Sequence, residues 1–175
     1  MGRRLNKAPT QPPPKGEEKG KTGRKMIRIF RTNSEHADFI QFVARLDNLL
    51  AEMDGRDHDF YDQFNKIDKI KHAVVAYFDE MPVACGAIKE FDPETMEVKR
   101  MFTDESHRGK GLATQVLAEL EKWAMELGYS KCILETGKRL PDAVRLYEKS
   151  GYKLIPNYGQ YNEMENSICF EKKLK

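Results

Sequence analysis

The sequence predicts an α/β domain with a mixed, mostly antiparallel sheet of about seven strands flanked by helices. Three observations carry this reading. Residues 72–78, 83–91 and 97–103 run apolar or alternate at strand period, and the connections Asp79-Glu80-Met81-Pro82 and Asp92-Pro93-Glu94-Thr95 are short, which makes an antiparallel meander. Leu112, Val116, Leu117, Leu120, Trp123, Ala124 and Leu127 then form the apolar stripe of a long helix between two strands. A strand, helix, strand crossover of that length leaves its two strands parallel. No run approaches the roughly 20 apolar residues of a membrane-spanning helix.

In chain order, residues 1–25 carry eight Lys and Arg against Glu17 and Glu18, a balance of +6 that leaves −4 for the rest of a chain whose total is +2. With Pro12-Pro13-Pro14 and almost no large apolar side chains, this stretch cannot bury enough surface to offset its ordering entropy, and it reads as a disordered basic extension. It holds no aromatic residue for base stacking, so no nucleic-acid partner is expected. Residues 26–175 suffice for one folded domain without disulfide or metal staples.

Ile27, Ile29 and Arg31 alternate with Arg28 and Phe30 as a first strand. Ser34 reads as the N-cap of a helix carrying Phe39, Phe42, Val43, Leu46, Leu49, Leu50 and Met53 at three- and four-residue spacing, closed by Gly55. Residues 57–68 interleave His58, Phe60, Tyr61 and Phe64 with acids, as a short helix or loop over the sheet. His58 between Asp57 and Asp59 has no second histidine at ligand spacing, so no metal site is expected. Gly86, inside a strand, marks a bulge or a close backbone approach. In residues 97–103, Val98, Arg100 and Phe102 fall on one face and Glu97, Lys99, Met101 and Thr103 on the other. After the long helix stops at Gly128, residues 132–136 read as a buried strand. Pro141 opens a second helix with Ala143, Val144, Leu146 and Tyr147, ending at Ser150-Gly151. Residues 152–155 and 167–174 are the last strands. Cys85, Cys132 and Cys169 are isolated in apolar runs, odd in number and without CxxC spacing, which predicts free thiols and a cytoplasmic location.

Between residues 97–103 and the long helix, Arg108-Gly109-Lys110-Gly111 sets two cationic side chains beside two glycines at a helix start. The first helical amides have no internal partner and carry the positive end of the dipole, so the turn suits an anion. It is not a P-loop, because no glycine stands five before Gly109 and Lys110 is followed by Gly111; nor is it a dinucleotide fingerprint, because position 114 is Thr. What remains, Arg108-x-x-Gly111-x-Ala113, resembles the pyrophosphate loop of the GNAT acetyltransferases. A second stretch, Ala143-Val144-x-Leu146-Tyr147-Glu148-Lys149-x-Gly151-Tyr152, is similar to another motif of that family, in the right order and with a strand between. Lys99-Arg100-Met101-Phe102 and Leu134-Glu135-Thr136-Gly137 look like a bacterial subgroup acting on small molecules.

The resemblance covers residues 26–175 and implies a GNAT-like fold whose parallel pair splays apart, with acetyl-CoA as cosubstrate and no metal. It implies that Arg108, Gly109, Lys110, Gly111, Leu112, Ala113 and Thr114 hold the pyrophosphate, and that Met101, Phe102 and Thr103 run along the pantetheine arm. Tyr147 matches the family tyrosine that protonates the departing thiolate, and Glu97 matches a glutamate that removes the amine's proton directly or through water; as strand and helix residues, both also read as ordinary packing or ion-pairing positions. Leu140 stands where many relatives carry Asn or Gln. Phe60, Tyr61, Tyr158, Gln160, Tyr161, Glu163 and Glu165 border the expected acceptor pocket, where the acids would suit a cationic acceptor; they also read as exposed loops with a few packed rings. The implied activity is acetyl transfer to a primary amine of a small metabolite such as an amino acid or polyamine. A protein or peptide N-acetyltransferase, a non-catalytic acyl-CoA-binding module and a homodimer stay open at this level.

Overall fold

The computed structural model describes residues 26–175, and the expectation of a disordered extension at residues 1–25 lies outside them. In chain order the elements are β1 (Ile27–Thr32), α1 (Ala37–Asp54), α2 (His58–Asp62), β2 (His72–Phe78), β3 (Met81–Asp92), β4 (Thr95–Thr103), α3 (Leu112–Glu126), β5 (Lys131–Gly137), α4 (Pro141–Lys149), β6 (Lys153–Ile155) and β7 (Ser167–Lys173). The strands form one sheet in the order β1-β2-β3-β4-β5-β7-β6, antiparallel throughout except between β4 and β5. No described helix is long and apolar enough to cross a membrane.

Strand alternation sends side chains to two cores. On one face Leu112, Val116, Leu117, Leu120 and Ala124 of α3 pack against Val74, Ile88, Met96, Val98, Cys132 and Leu134, with Tyr147 of α4 in the same cluster. On the other, Phe39, Phe42, Val43 and Leu46 of α1 cover Ala73, Val75, Cys85, Ala87 and Phe102. A smaller cluster of Tyr61, Tyr161 and Cys169 extends that second face toward β7. Arg31 ties β1 to α3, its Nε donating to Glu119 at 2.6 Å and its guanidinium lying over the Trp123 ring.

The feature that shapes everything downstream sits in the middle of β4. Cys85 pairs with Phe102 but Ala87 pairs with Lys99, so Gly86 of β3 faces both Arg100 and Met101 of β4 and a bulge falls at Arg100. Arg100 takes φ +58, a conformation rare for a residue with a side chain, and its guanidinium bonds Asp47 and the Val43 carbonyl of α1. The alternation is therefore reset. Val98 joins the α3 core and Phe102 the α1 core, while Arg100 reaches α1, so Val98, Arg100 and Phe102 do not share the face their spacing predicts.

Opposite the bulge, Gly86 is a position where backbone and neighbours come close: a Cβ there would stand 2.4 Å from Met101 Sδ and 2.9 Å from both Leu120 Cδ1 and Val116 Cγ1. β4 leaves β5 after Glu97, just ahead of the bulge. The parallel ladder runs only from Thr95 with Lys131 to Glu97 with Ile133, and the later residues of the two strands are unpaired with each other. The expected splay is present.

Two local expectations are corrected. The N-cap of α1 is His36, whose Nδ1 accepts from the Asp38 amide at 3.3 Å; Ser34 lies two residues too early. The β2–β3 turn is the two residues Asp79 and Glu80, both at positive φ as a tight hairpin of the right twist requires, so Met81 and Pro82 belong to β3. Residues 57–68 contain the five-residue helix α2, and no group of metal-ligating side chains assembles among the described residues.

Gly86→Val should destabilise the protein by about 1–3 kcal/mol, because Val116 and Leu120 are buried and cannot all retreat. Urea unfolding checks this, and an unchanged midpoint would mean that the bulge is not locked by that contact.

Candidate active site

The approach to α3 is built from hydrogen bonds to one carboxylate. Asp104 caps the 3-10 turn Glu105–His107, accepting from the Ser106 amide at 3.2 Å and meeting His107 Nδ1 at 3.0 Å, and it also accepts from Arg45 of α1 at 2.8 Å. Hydrogen bonds from His107, then Ser106, then Arg45 hold its carboxyl well below the usual range, so the turn stays pinned at neutral pH. Gly109 and Gly111 follow at φ +74, a conformation open to glycine at little cost, and Gly111 is the N-cap of α3 without a side-chain cap. The first α3 amides are thus left for an external acceptor. Arg108 Nε donates to the Thr103 carbonyl at 3.2 Å, and Lys110 Nζ to the Ser106 carbonyl at 3.1 Å.

From this helix end a groove of about 650 Å³ runs between β4 and α4. Met101, Phe102, Thr103, Arg108, Gly109, Gly111, Leu112, Ala113 and Thr114 line it; Lys110 does not, its ammonium being turned back to Ser106. The edge of β4 past Glu97, parted from β5, offers main-chain groups to an extended ligand, as a sheet edge does to an added strand.

On the other side of the split lies an inner pocket of about 130 Å³. Glu97, Lys99 and Arg100 of β4, Glu135 of β5, Asp54 and Tyr61 line it, with Tyr161 and Asn166 from the β6–β7 connection. Leu46, Met101, Leu140, Ala143 and Tyr147 line groove and pocket alike, so the two spaces meet at Tyr147. Leu140 makes that junction apolar. The Tyr147 ring packs against Tyr152 and Phe170, and burial, reinforced by the charge of Glu135, raises its hydroxyl above the ordinary phenol value. It remains protonated and can act only as a donor of that proton.

Glu97 is buried. Its Oε1 accepts from the Tyr158 hydroxyl at 2.9 Å and its Oε2 faces Lys99 Nζ at 3.4 Å. Tyr158 therefore touches the site through Glu97, although neither it nor Gln160 lines the pocket; Tyr161, one residue beyond Gln160, does. Glu135 was visible in the sequence as a charged residue in a buried strand. In the fold it is half-buried, accepts from Ser167 Oγ at 2.7 Å, and has its carboxyl pushed up to about 7 by burial. Asp54 had no sequence signal beyond its charge, and Lys99 and Glu135 stood in family-like runs without an assigned role. The three cysteines are free and buried, with burial pushing the Cys85 and Cys132 thiols up to about 12 and Cys169 to about 11, which disfavours an acyl-cysteine intermediate.

Residues 38–152 match the model of the acetyltransferase (GNAT) family. The uncharacterized N-acetyltransferase YsnE of Bacillus subtilis (strain 168) is 40% identical over 98 residues, a match spanning 55% of this chain and 64%, just under two thirds, of that relative. The IAA acetyltransferase of Azospirillum brasilense is 28% identical over 150 residues, covering 85% of this chain and 98% of the relative. A crystal structure ascribed to an acyl-CoA N-acyltransferase from Klebsiella pneumoniae superposes with a TM-score of 0.71 at 28% identity, over 86% of this chain and 99% of the other.

Gly111→Glu adds a like charge where phosphate would sit and forces a side chain into φ +74, itself a cost of about 1–2 kcal/mol. Acetyl-CoA affinity measured by calorimetry should fall by at least about tenfold, with the circular dichroism spectrum retained. An unaltered affinity would remove the pyrophosphate from this helix end.

Proposed function

The chain belongs to the GNAT family of acetyl-CoA-dependent acetyltransferases, and from that premise we propose that it transfers the acetyl group directly to a primary amine of a small, positively charged metabolite. The observation that carries this reading is the junction of the groove and the inner pocket at Tyr147, across the split between β4 and β5. A donor in the groove and an acceptor in the pocket would meet there without a covalent enzyme intermediate. The pocket's size favours a small acceptor over a folded protein, and Glu97, Glu135 and Asp54 outnumber Lys99 as charges facing it, Arg100 being paired with Asp47.

In this reading the α3 amides with Arg108 hold the pyrophosphate, and the β4 segment Met101, Phe102 and Thr103 carries the pantetheine arm. The acceptor arrives as an ammonium ion, with a pKa of about 10.4 for a lysine-like amine, and gives up a proton to the acid-lined pocket, where Glu97 is the family's position for a base. The neutral amine attacks the thioester carbonyl. As the carbon–sulfur bond breaks, the Tyr147 hydroxyl protonates the departing thiolate, and the tyrosinate so formed takes the second proton from nitrogen.

Release of free CoA from acetyl-CoA by the purified protein, against amino acids, polyamines, aminosugars and short peptides, tests the proposal. Turnover is expected with small cationic amines; turnover on peptides alone would overturn the acceptor class, and binding of acetyl-CoA without any turnover would overturn the catalytic reading. Tyr147→Phe should lower kcat by roughly 10²-fold or more while leaving acetyl-CoA affinity nearly unchanged. Equal loss of both would make Tyr147 a packing residue.

A further inference from the structure

Three carboxylates face the inner pocket, Asp54, Glu97 and Glu135, and the fold holds the two strand glutamates differently. Glu97 has both oxygens engaged, one by the Tyr158 hydroxyl and the other by the ammonium of Lys99, whose side chain is itself only 9% exposed. A proton delivered to Glu97 would have to displace one of those bonds in a place shielded from water. Glu135 is engaged on one side only. Ser167 Oγ lies 2.7 Å from its Oε1 and 2.9 Å from the Tyr61 hydroxyl. A serine has a single proton to give, and the carboxylate can only accept, so the chain runs from Tyr61 through Ser167 to Glu135. Oε2 of Glu135 has no hydrogen-bond partner among the described residues, and the residue lines the pocket.

Resting on the acetyl-transfer reading above, we propose that Glu135 is the group that takes the proton from the acceptor's ammonium, with Ser167 and Tyr61 orienting its carboxylate and Glu97 serving as a fixed anionic wall. The ammonium N–H bond breaks and its proton passes to Glu135 Oε2. The freed nitrogen lone pair forms the bond to the thioester carbon, the carbon–sulfur pair leaves on sulfur, and Tyr147 gives its own proton to sulfur and recovers one from the acylated nitrogen. Glu135 then releases its proton to solvent, so the products are the amide, CoA thiol and one proton.

The groups that face Glu135 come from every neighbouring element. Lys99 of β4 and the Ser167 hydroxyl of β7 favour its charged form, whereas burial, Asp54 of α1 and Glu97 of β4 oppose it. Tyr61 of α2, Tyr147 of α4, Tyr161 and Cys169 feel its charge in turn. The balance leaves the carboxyl titrating at about 7, where a base both ionises at neutral pH and binds a proton firmly enough to extract it.

The test follows kcat/KM against pH with acetyl-CoA and the panel amine that turns over fastest, alongside ¹³C NMR titration of glutamate carboxyls in the free, glutamate-labelled protein. Wild-type activity should rise with pH through about 7, as Glu135 loses its proton. Glu135→Gln should abolish that limb and cost roughly 10²-fold or more in kcat, with acetyl-CoA affinity retained. Ser167→Ala, which removes a bond favouring the anion, should move both the kinetic limb and the near-neutral carboxyl resonance to higher pH, which identifies Glu135 without altering it. Glu97→Gln should raise KM and keep the limb. The assignment is overturned if Glu97→Gln removes the limb while Glu135→Gln preserves it, or if no carboxyl titrates near neutrality. Silence of the entire amine panel would instead strike the acetyl-transfer reading, and the titration would still report on Glu135.

Discussion

The bulge at Arg100 is the constraint on which the site depends. The parallel ladder with β5 stops at Glu97, just ahead of the bulge, and the sheet is open from there on. One extra residue, held at positive φ, turns the strand aside. What keeps it there is contact on both faces: the Arg100 guanidinium anchored on α1, and Met101 lying over Gly86 against α3. The gap joins the groove beside α3 to the pocket beneath α1, and sets Tyr147 where they meet.

Charge is ordered along that passage. Arg108, Arg139, Arg145 and Lys149 stand along the groove, where an anionic donor lies in the family's mode of binding, while Glu97, Glu135 and Asp54 stand at the inner end. The two ends therefore favour opposite charges. Arg139 also closes the end of α1 by donating to the Met53 and Asp54 carbonyls, at 2.9 and 3.2 Å, so the segment between β5 and α4 is fastened to the helix across the opening.

Much of this was legible in the residues. Apolar periodicity gave the strands and long helices, and the glycine and arginine spacing before Leu112 located the helix end that opens the groove. The bulge was half legible: Gly86 signalled a close approach, but nothing in Lys99-Arg100-Met101 announces an arginine at positive φ, and strict alternation then misassigned its face. Glu135 was hidden for a different reason. A charge in a strand reads the same whether it faces water or a pocket, and its partners Ser167, Tyr61 and Asp54 are distant in sequence. His36 went unread as the cap of α1 because imidazole is not among the usual capping side chains, whereas the hydroxyl of Ser34 is. Of the aromatic and polar loop residues that the sequence set beside an acceptor, Tyr61 and Tyr161 line the pocket, whereas Tyr158 and Gln160 do not.

The pocket and the groove share a short list of residues; α1 and β4 give different residues to each, and the rest comes from separate stretches of chain: α2, β5 and the β6–β7 connection for one, the start of α3 and the face of α4 for the other. Changes at Asn65, Tyr161 or Asn166 reshape the acceptor's surroundings without touching a residue that lines the groove. Such a protein can diversify what it modifies while inheriting its donor unchanged, because selection on the two ligands falls on different parts of the polypeptide.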